Sequence, residues 1–498
     1  MMSDRSFKSD YPKISELFLW NMLPDRESRV CFHMPGHLSG HLFSDEYYRE
    51  LVMTDTTELP RTDDLHDPAG PVLRAAEVAS RCYGSSRSFF VTTGSTTGIR
   101  VMMASVFDEN SFFLFPRTAH ISVLYTAAIL DLPYAWIRSG EPEDPDPYLL
   151  PVTTAESVKA AIIDNPQATD VLIVSPDYYG RCADISAIAN VVHHYGLRLL
   201  VDEAHGSHFP FCPEGSPSSA MNSGADISVM SIHKTMPAMT MASMLHVSKD
   251  AMINARVEEK RIYDMLRAFE TSSPSFPIAA SSEYAIAWAK KNGESLIRST
   301  ISHVKDFYKR TDRIGGVQPI ITSQDMCDPL RMVLKIDHPK VSARQVHEQL
   351  SENGIDIEFS DLKRLVILVS PGQPPEDFDR LLAALSIAME TDAVSSCIEE
   401  AEIQLNNLEI LWKQILHRIP VRSMSVREAF FSGKRKSIAL ENSAGAVLAA
   451  PISPYPPGIP LIWPGEVITN EHILLLKGLN HEGITIAGLH DGNILIRY

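Results

Sequence analysis

Six cysteines in 498 residues is a sparse supply, and they are scattered (31, 82, 182, 212, 327, 397) with no C-x-x-C pair among them. That pattern excludes a disulfide-stapled framework. It reads as reduced, buried thiols, which points to the cytoplasm. Basic charge is short too: 45 Lys+Arg against 62 Asp+Glu leaves a formal net charge of −17. A nucleic-acid-binding protein normally carries a basic face, and a membrane-surface anchor a polybasic run; neither class fits. Long apolar runs are also missing, and none approaches the ~18 residues needed to span a bilayer. The opening MMSDRSFKSDYPKISELFLW has only a four-residue apolar run and no small-residue cleavage site, so no secretory signal is expected. His33, His37 and His41 are spaced four apart, but Pro35 and Gly36 stand between the first two. No helix can bring those rings to one face, and no metal site is expected.

What remains is an ordinary globular composition, 44% apolar and 21% charged. The length allows about two to four domains. From about residue 85 to 250, β-rich runs alternate with helical stretches such as Thr97–Val106 and Ile185–Tyr195. The runs are SRSFFVTT before Gly94, SFFLFP before Arg117-Thr118-Ala119-His120, VLIVSPD, LRLLVDEAH with Asp202, and DISVMSIHK with Lys234. Such alternation predicts an α/β fold whose mostly parallel sheet is buried on both faces. Each run ends in polar residues, at the edge where open α/β sheets bind ligands. Near Thr271-Ser272-Ser273-Pro274 the pattern breaks, and a long helix is expected from Ile278 to about Lys305. Strands near LRMVLKID and RLVILVS and a helix near Asp377–Met389 predict a smaller α+β unit. A helix over Ile398–Ile415, a Pro-rich stretch and two short strands form a C-terminal appendage. The expected units are a large α/β domain over 1–290, a small α+β domain over 291–394 and a C-terminal domain over 395–498.

Chemistry concentrates at the ends of the runs. A lysine ending an apolar strand, as in Ser231-Ile232-His233-Lys234-Thr235, is either an edge lysine reaching for water or the Schiff-base lysine of a pyridoxal phosphate enzyme. Asp202 precedes it by 32 residues, at the end of LRLLVDEAHGSH. That carboxylate either caps the next helix or faces a pyridine nitrogen and keeps it protonated. Thr92-Thr93-Gly94-Ser95-Thr96-Thr97-Gly98 lies between a strand and a helix, so its N–H groups and hydroxyls can hold a phosphate; such loops also simply turn the chain. His120 ends another strand, where an imidazole could stack on a cofactor ring or serve the fold alone.

In combination these stretches resemble the ornithine/lysine/arginine decarboxylases, pyridoxal phosphate enzymes of the aspartate-aminotransferase fold (fold type I). The likeness rests on His33-Met34-Pro35-Gly36-His37, Asp55-Thr56-Thr57-Glu58 with Asp63-Asp64-Leu65, Gly94-Ser95-Thr96 and Asp202-Glu203-Ala204-His205-Gly206-Ser207-His208. It continues through Gly224-Ala225-Asp226, Ser231 to Thr235, Ser272-Ser273-Pro274-Ser275-Phe276, Tyr455 to Pro460 and Pro464-Gly465-Glu466. The resemblance implies the shorter form of the family, without an N-terminal receiver-like domain. It assigns Lys234 to the cofactor bond, Asp202 to the pyridine nitrogen and His120 to the ring face. Ser95, Thr96, Ser231 and His233 would hold the phosphate, and His205 would neighbour the cofactor. Ser272 would reach the neighbouring subunit's site, which implies a homodimer or a dimer-based assembly. Glu466 and Glu441 are acidic candidates for the substrate entrance.

Thr93 replaces the family's usual Asn, Thr240-Met241 its Thr-Gln, Ser272 its commoner Thr, and Glu283 its Asp. No catalytic group is lost, but surroundings that bear on substrate choice differ. The expected reaction is decarboxylation of a basic amino acid, arginine ahead of lysine or ornithine, giving agmatine, cadaverine or putrescine in polyamine metabolism. One rival is another pyridoxal phosphate reaction on the same scaffold, a transamination or an oxidase-like reaction. A transaminase usually needs an arginine clamp, for which Arg267 and Arg427 are candidates. The other rival is a non-catalytic paralogue, which would have no need of Lys234 and Asp202.

Overall fold

Five residues of nearly unbroken apolar character, repeated strand after strand, have to be covered on both sides, and the structure shows how. It is a computed structural model describing residues 29–59, 62–138, 148–320, 327–338, 341–390, 398–455 and 458–498. The opening stretch read for a secretory signal, the junction near 395, Cys397 and Pro456-Pro457 lie outside the described residues. Seven strands form one sheet in the order Arg87–Val91, Ser243–Val247, Ile227–Ser231, Arg198–Asp202, Asp170–Val174, Phe113–Pro116, Tyr134–Ile137. All run parallel except Ser243–Val247, which pairs antiparallel with both neighbours. Side chains alternate between the faces. Leu172 and Leu200 join one core with Phe115, Val123 and Leu245, while Val171, Ile173, Leu199 and Val201 join another with Val158 and Ile188. The strands Tyr134–Ile137 and Ser243–Val247 were not anticipated. Both are short, and Ser243–Val247 follows a crossing of only a few residues that reverses its direction, so local alternation gave no sign of its place.

Ser275 caps the next helix by accepting the Ile278 N–H, and the helix runs Phe276–Thr311, longer at its C-terminal end than expected. It leads into a four-stranded antiparallel sheet of Phe359–Ser360, Arg364–Leu368, Arg331–Ile336 and Val317–Pro319. Helices Ala343–Glu352 and Pro375–Met389 accompany it. The C-terminal elements are helices Ile398–His417 and Asn470–His481 and the strand pairs Arg435–Ala439 with Asn493–Arg497 and Ser453–Tyr455 with Thr485–Ala487. Their apolar side chains share a core with the four-stranded sheet: Val333, Phe359 and Val366 pack with Trp412, Leu416 and Ile462. Trp463 stacks on Phe115 of the large sheet, ring centroids 5.6 Å apart. No described helix is long and apolar enough to cross a membrane.

Candidate active site

The parallel strands deliver Asp202, Ser231 and the Thr92–Gly94 loop to one edge of the sheet. Lys234 does not end the strand, as the sequence had led us to expect. The strand stops at Ser231, and Lys234 sits on a single helical turn, Ile232–Thr235, that lifts its side chain over the edge. That turn is clamped from the N-terminal segment. Gly36 N–H donates to the His233 carbonyl at 2.9 Å. A Cβ on Gly36 would come 2.8 Å from the Thr235 carbonyl carbon, so the approach requires glycine. The same segment holds Glu358, whose Oε2 accepts the Met34 N–H at 2.9 Å.

Around Lys234 the charges are unevenly matched. Its Nζ lies 3.0 Å from His205 Nε2. Burial, only partly offset by Asp202 and Glu358, pulls its ammonium down from 10.5 to about 8. Burial, then the charges of Lys234 and Arg331, hold His205 well below the usual imidazole value. On the far side of that ring, Arg331 Nη2 donates to Nδ1 at 3.0 Å, and the Tyr178 ring lies 5.3 Å away. Asp202 is 3% exposed. Its Oδ1 accepts the Ala204 N–H at 3.1 Å, and Oδ2 takes no hydrogen bond among the described residues. Burial pushes this carboxyl upward, and the charge of Lys234 opposes the shift. His120 caps helix Ile121–Leu130 through Nδ1, and burial holds it at about 4, so the ring is neutral. His233 is likewise lowered to about 4 by burial, with Nδ1 2.9 Å from the Ala242 carbonyl oxygen.

The loop beside this cluster is shaped for an anion. Gly94 has φ +86°, and a Cβ there would meet nothing within 4 Å, so conformation rather than crowding calls for glycine. No side chain caps helix Ser95–Val106, and its first N–H groups face outward with the partial positive charge of a helix N-terminus. Ser231 Oγ donates to Ser95 Oγ at 2.6 Å, tying the loop to the lysine strand. Thr96 follows on the same first turn. Sequence reading missed the support beneath. The Glu270 carboxylate accepts from Thr92 N at 2.5 Å, Thr92 Oγ1 at 2.7 Å and Thr93 Oγ1 at 3.3 Å, and His66 Nε2 lies 3.0 Å from its other oxygen. Nothing in a single sequence pairs residues 178 positions apart. The only hint was that Glu270 stands beside the singled-out Thr271-Ser272.

Other candidates fall elsewhere. Ser272 lies on an exposed turn between helices Glu259–Phe269 and Phe276–Thr311, and no hydrogen bond joins it to the Lys234 cluster among the described residues. Glu466 does not line an entrance. It is fully buried, bonded to Arg117 at 2.6 Å and accepting the Trp463 N–H at 2.8 Å, because the turn it closes docks on the Phe113–Pro116 strand. Glu441 is exposed and pairs with Lys477. Of the arginines considered for a clamp, Arg267 pairs with Asp264 and Asp67 at the surface, and Arg427 donates to the Ile129 carbonyl at 2.6 Å. The arginine that reaches the cluster is Arg331, which sequence reading passed over because it opens an ordinary-looking strand.

A buried carboxylate with an open oxygen, a deprotonation-prone lysine and an uncapped helix N-terminus on one edge suit pyridoxal phosphate: a ring nitrogen, an aldehyde and a phosphate. Comparison with known proteins agrees in kind. The family model described as Orn/Lys/Arg decarboxylase, major domain, matches residues 21–327, and its C-terminal-domain counterpart matches residues 410–483. A Bacillus subtilis (strain 168) chain called uncharacterized protein YaaO is 32% identical over 487 residues, 95% of each chain. The arginine decarboxylase of that organism is 29% identical over 478 residues, 93% of each. Among solved structures, Escherichia coli constitutive lysine decarboxylase superposes with a TM-score of 0.75 at 20% identity, covering 99% of this chain and 80% of that one. At that identity the likeness shows the fold, which is the aspartate-aminotransferase-like fold the sequence led us to expect.

Proposed function

Because this chain belongs to the Orn/Lys/Arg decarboxylase family, we propose that it decarboxylates arginine in preference to lysine or ornithine, using pyridoxal phosphate held at the Lys234 edge. The chain is an amino-acid decarboxylase by family; the choice of arginine rests on its likeness to an arginine decarboxylase. The observation that carries the reading is the meeting of Lys234, Asp202 and the open helix N-terminus at Ser95 along one edge of the sheet, with Ser95 bonded to Ser231. Bound there, pyridoxal phosphate supplies an aldehyde for the substrate amine and a ring that accepts the electron pair left as CO₂ departs.

The chain's own residues do the rest. The N–H groups and hydroxyls of Ser95 and Thr96, with Ser231 and His233, hold the phosphate. Asp202 holds a proton at the ring nitrogen, where its open Oδ2 has room to accept. His120, neutral, would offer its ring as a face for the cofactor ring to rest on. Lys234, its ammonium lowered to about 8, would hold and release a proton at Nζ. Ser272 of each chain completes the neighbouring subunit's site, so the working form is a cytoplasmic homodimer or a larger assembly of dimers.

The test is direct. Incubate the purified protein with pyridoxal phosphate and each of arginine, lysine and ornithine, and measure CO₂ and amine. Agmatine should accumulate fastest, and borohydride should fix a pyridoxyl group on the Lys234 peptide. A pyridoxyl label on another lysine, or no amine from any of the three, overturns the reading.

A further inference from the structure

His205 is held from both sides by groups that leave it little freedom. On one side Arg331 bonds Nδ1 at 3.0 Å; on the other, Nε2 lies 3.0 Å from Lys234 Nζ. A guanidinium has donors only and stays charged in proteins, so Nδ1 must be the accepting nitrogen. The ring cannot take a second proton there without setting two donors against each other. A neutral imidazole whose Nδ1 accepts carries its proton on Nε2. That proton points at Lys234 Nζ, and only a neutral amine has a lone pair to receive it.

We propose that Arg331 is a positioning residue that fixes His205 as the Nε2–H tautomer and so presents Lys234 as a neutral amine, ready to attack an aldehyde. The inference rests on the reading of Lys234 as the cofactor-bonding lysine. Arg331 opens the Arg331–Ile336 strand of the smaller sheet, while His205 and Lys234 lie just past the ends of two strands of the large one. Arg331 is 3% exposed, and its Nη1 also donates to the Tyr178 carbonyl at 3.2 Å, which anchors the guanidinium against the residue whose ring lies beside His205. The smaller sheet therefore has to be seated for the tautomer to be set.

The other charges facing these two groups pull in opposing directions. Asp202 at the strand end and Glu358 from the smaller unit favour the ammonium form of Lys234, and Arg331 opposes it. His120, from the Phe113–Pro116 side, and His233, on the lysine's own turn, would disfavour a proton on His205 only when protonated themselves. Burial already favours the base form of the amine against the two carboxylates, and a donor locked onto the lone pair of Nζ adds to it.

The experiment uses the full chain stripped of cofactor, so that it does not depend on catalysis. Nitrogen-15 spectra of histidine-labelled protein, with His205→Gln to assign the ring, report which ring nitrogen carries the proton. The pH midpoint for acylation of Lys234 by an amine-reactive reagent, followed by peptide mass, reports its basicity. Wild type and Arg331→Lys, which keeps a charged donor, should show an unprotonated Nδ1 and the same midpoint. In Arg331→Met the proton should move to Nδ1, and the midpoint should rise by about one pH unit, a roughly tenfold slower acylation at pH 7. A protonated Nδ1 in wild type, or an unshifted midpoint in Arg331→Met, overturns the proposal. If Arg331→Met does not fold, the wild-type spectrum still decides. A Lys234 that never takes a pyridoxyl label would sink the cofactor reading and leave the tautomer result standing.

Discussion

Two buried charge clusters lie back to back, separated by a single peptide. Tyr178 faces His205 and the Lys234 site, and its neighbour Tyr179 turns the other way, donating to Asp361 Oδ2 at 2.5 Å. Behind Tyr179, Arg364 bonds Asp361 at 3.3 Å and also Glu409, while Lys363 and Lys413 reach Glu409 at 3.2 Å each. Every cation there meets a carboxylate. Burial alone would raise Glu409, but the charge and hydrogen bond of Arg364, with Lys413 and Lys363, outweigh it and hold the acid at about 2. In the Lys234 cluster burial wins instead. It lowers the lysine and raises Asp202, because neither has a hydrogen-bonded counter-ion among the described residues. Burial thus meets opposite outcomes in the two clusters. Matched charges join two pieces of structure, while unmatched ones keep groups near the protonation change that chemistry needs.

The sharpest way to break that contrast is to remove the lysine. Lys234→Met should cut decarboxylation by about 10⁴-fold, measured as CO₂ release. The same change should stabilise the cofactor-free protein. Lys234 is lowered from 10.5 to about 8, so the unfolded chain binds the extra proton and stability rises with pH between those values. The gain from Lys234→Met, about 1–3 kcal/mol by denaturant melts below pH 8, should fade as pH rises toward 10.5. A destabilised Lys234→Met protein would mean that the lysine serves the fold.

Glu409→Gln probes the matched cluster and should do the reverse: catalysis per folded molecule intact, stability down by about 1–3 kcal/mol as Arg364 is left with Asp361 alone and Lys363 and Lys413 lose their shared carboxylate. Glu409 titrates below its usual 4.5, so the pairing is fully present above that pH and lost as pH falls toward 2. Wild type should therefore lose thermal stability between pH 5 and 3 more steeply than Glu409→Gln. Equal slopes would remove the pairing from the account.

Asp202→Asn stays within the unmatched cluster. Turnover should drop by about 10²–10³-fold while pyridoxal phosphate is still retained, as read from visible absorbance and single-turnover rates. Near-normal turnover would deny Asp202 its place at the ring nitrogen. The smallest effect is expected under the Thr92–Gly94 loop. Glu270→Ala frees the Thr92 N–H and both threonine hydroxyls, and should weaken cofactor binding by about 10–100-fold with turnover at saturation little changed. A lower turnover with unchanged affinity would place Glu270 nearer the chemistry than the loop geometry puts it.

Much of this was legible before any coordinate. The five apolar runs, their polar ends and the order Gly94, Asp202, Lys234 all follow from local alternation and turn chemistry, and they locate the ligand edge of a parallel sheet. The reading slipped where direction reverses over a few residues, at Ser243–Val247, and where a strand yields to a single helical turn, at Ile232–Thr235. Glu466 was misread because a lone acid near a Pro-Gly turn looks the same in sequence whether it faces solvent or a buried arginine.

By itself, then, the sequence determined which residues could act and along which edge they would stand, because strand period, helix starts and glycine turns are written within a few residues of each other. Tertiary structure alone decided who supports them. Arg331 meets His205 across 126 positions, Glu270 meets Thr92 across 178, and Glu466 meets Arg117 across 349. Such pairs are selected by burial: once the sheets and helices close, each desolvated charge must find whatever partner the packing has brought within reach, and no local pattern records which one that is.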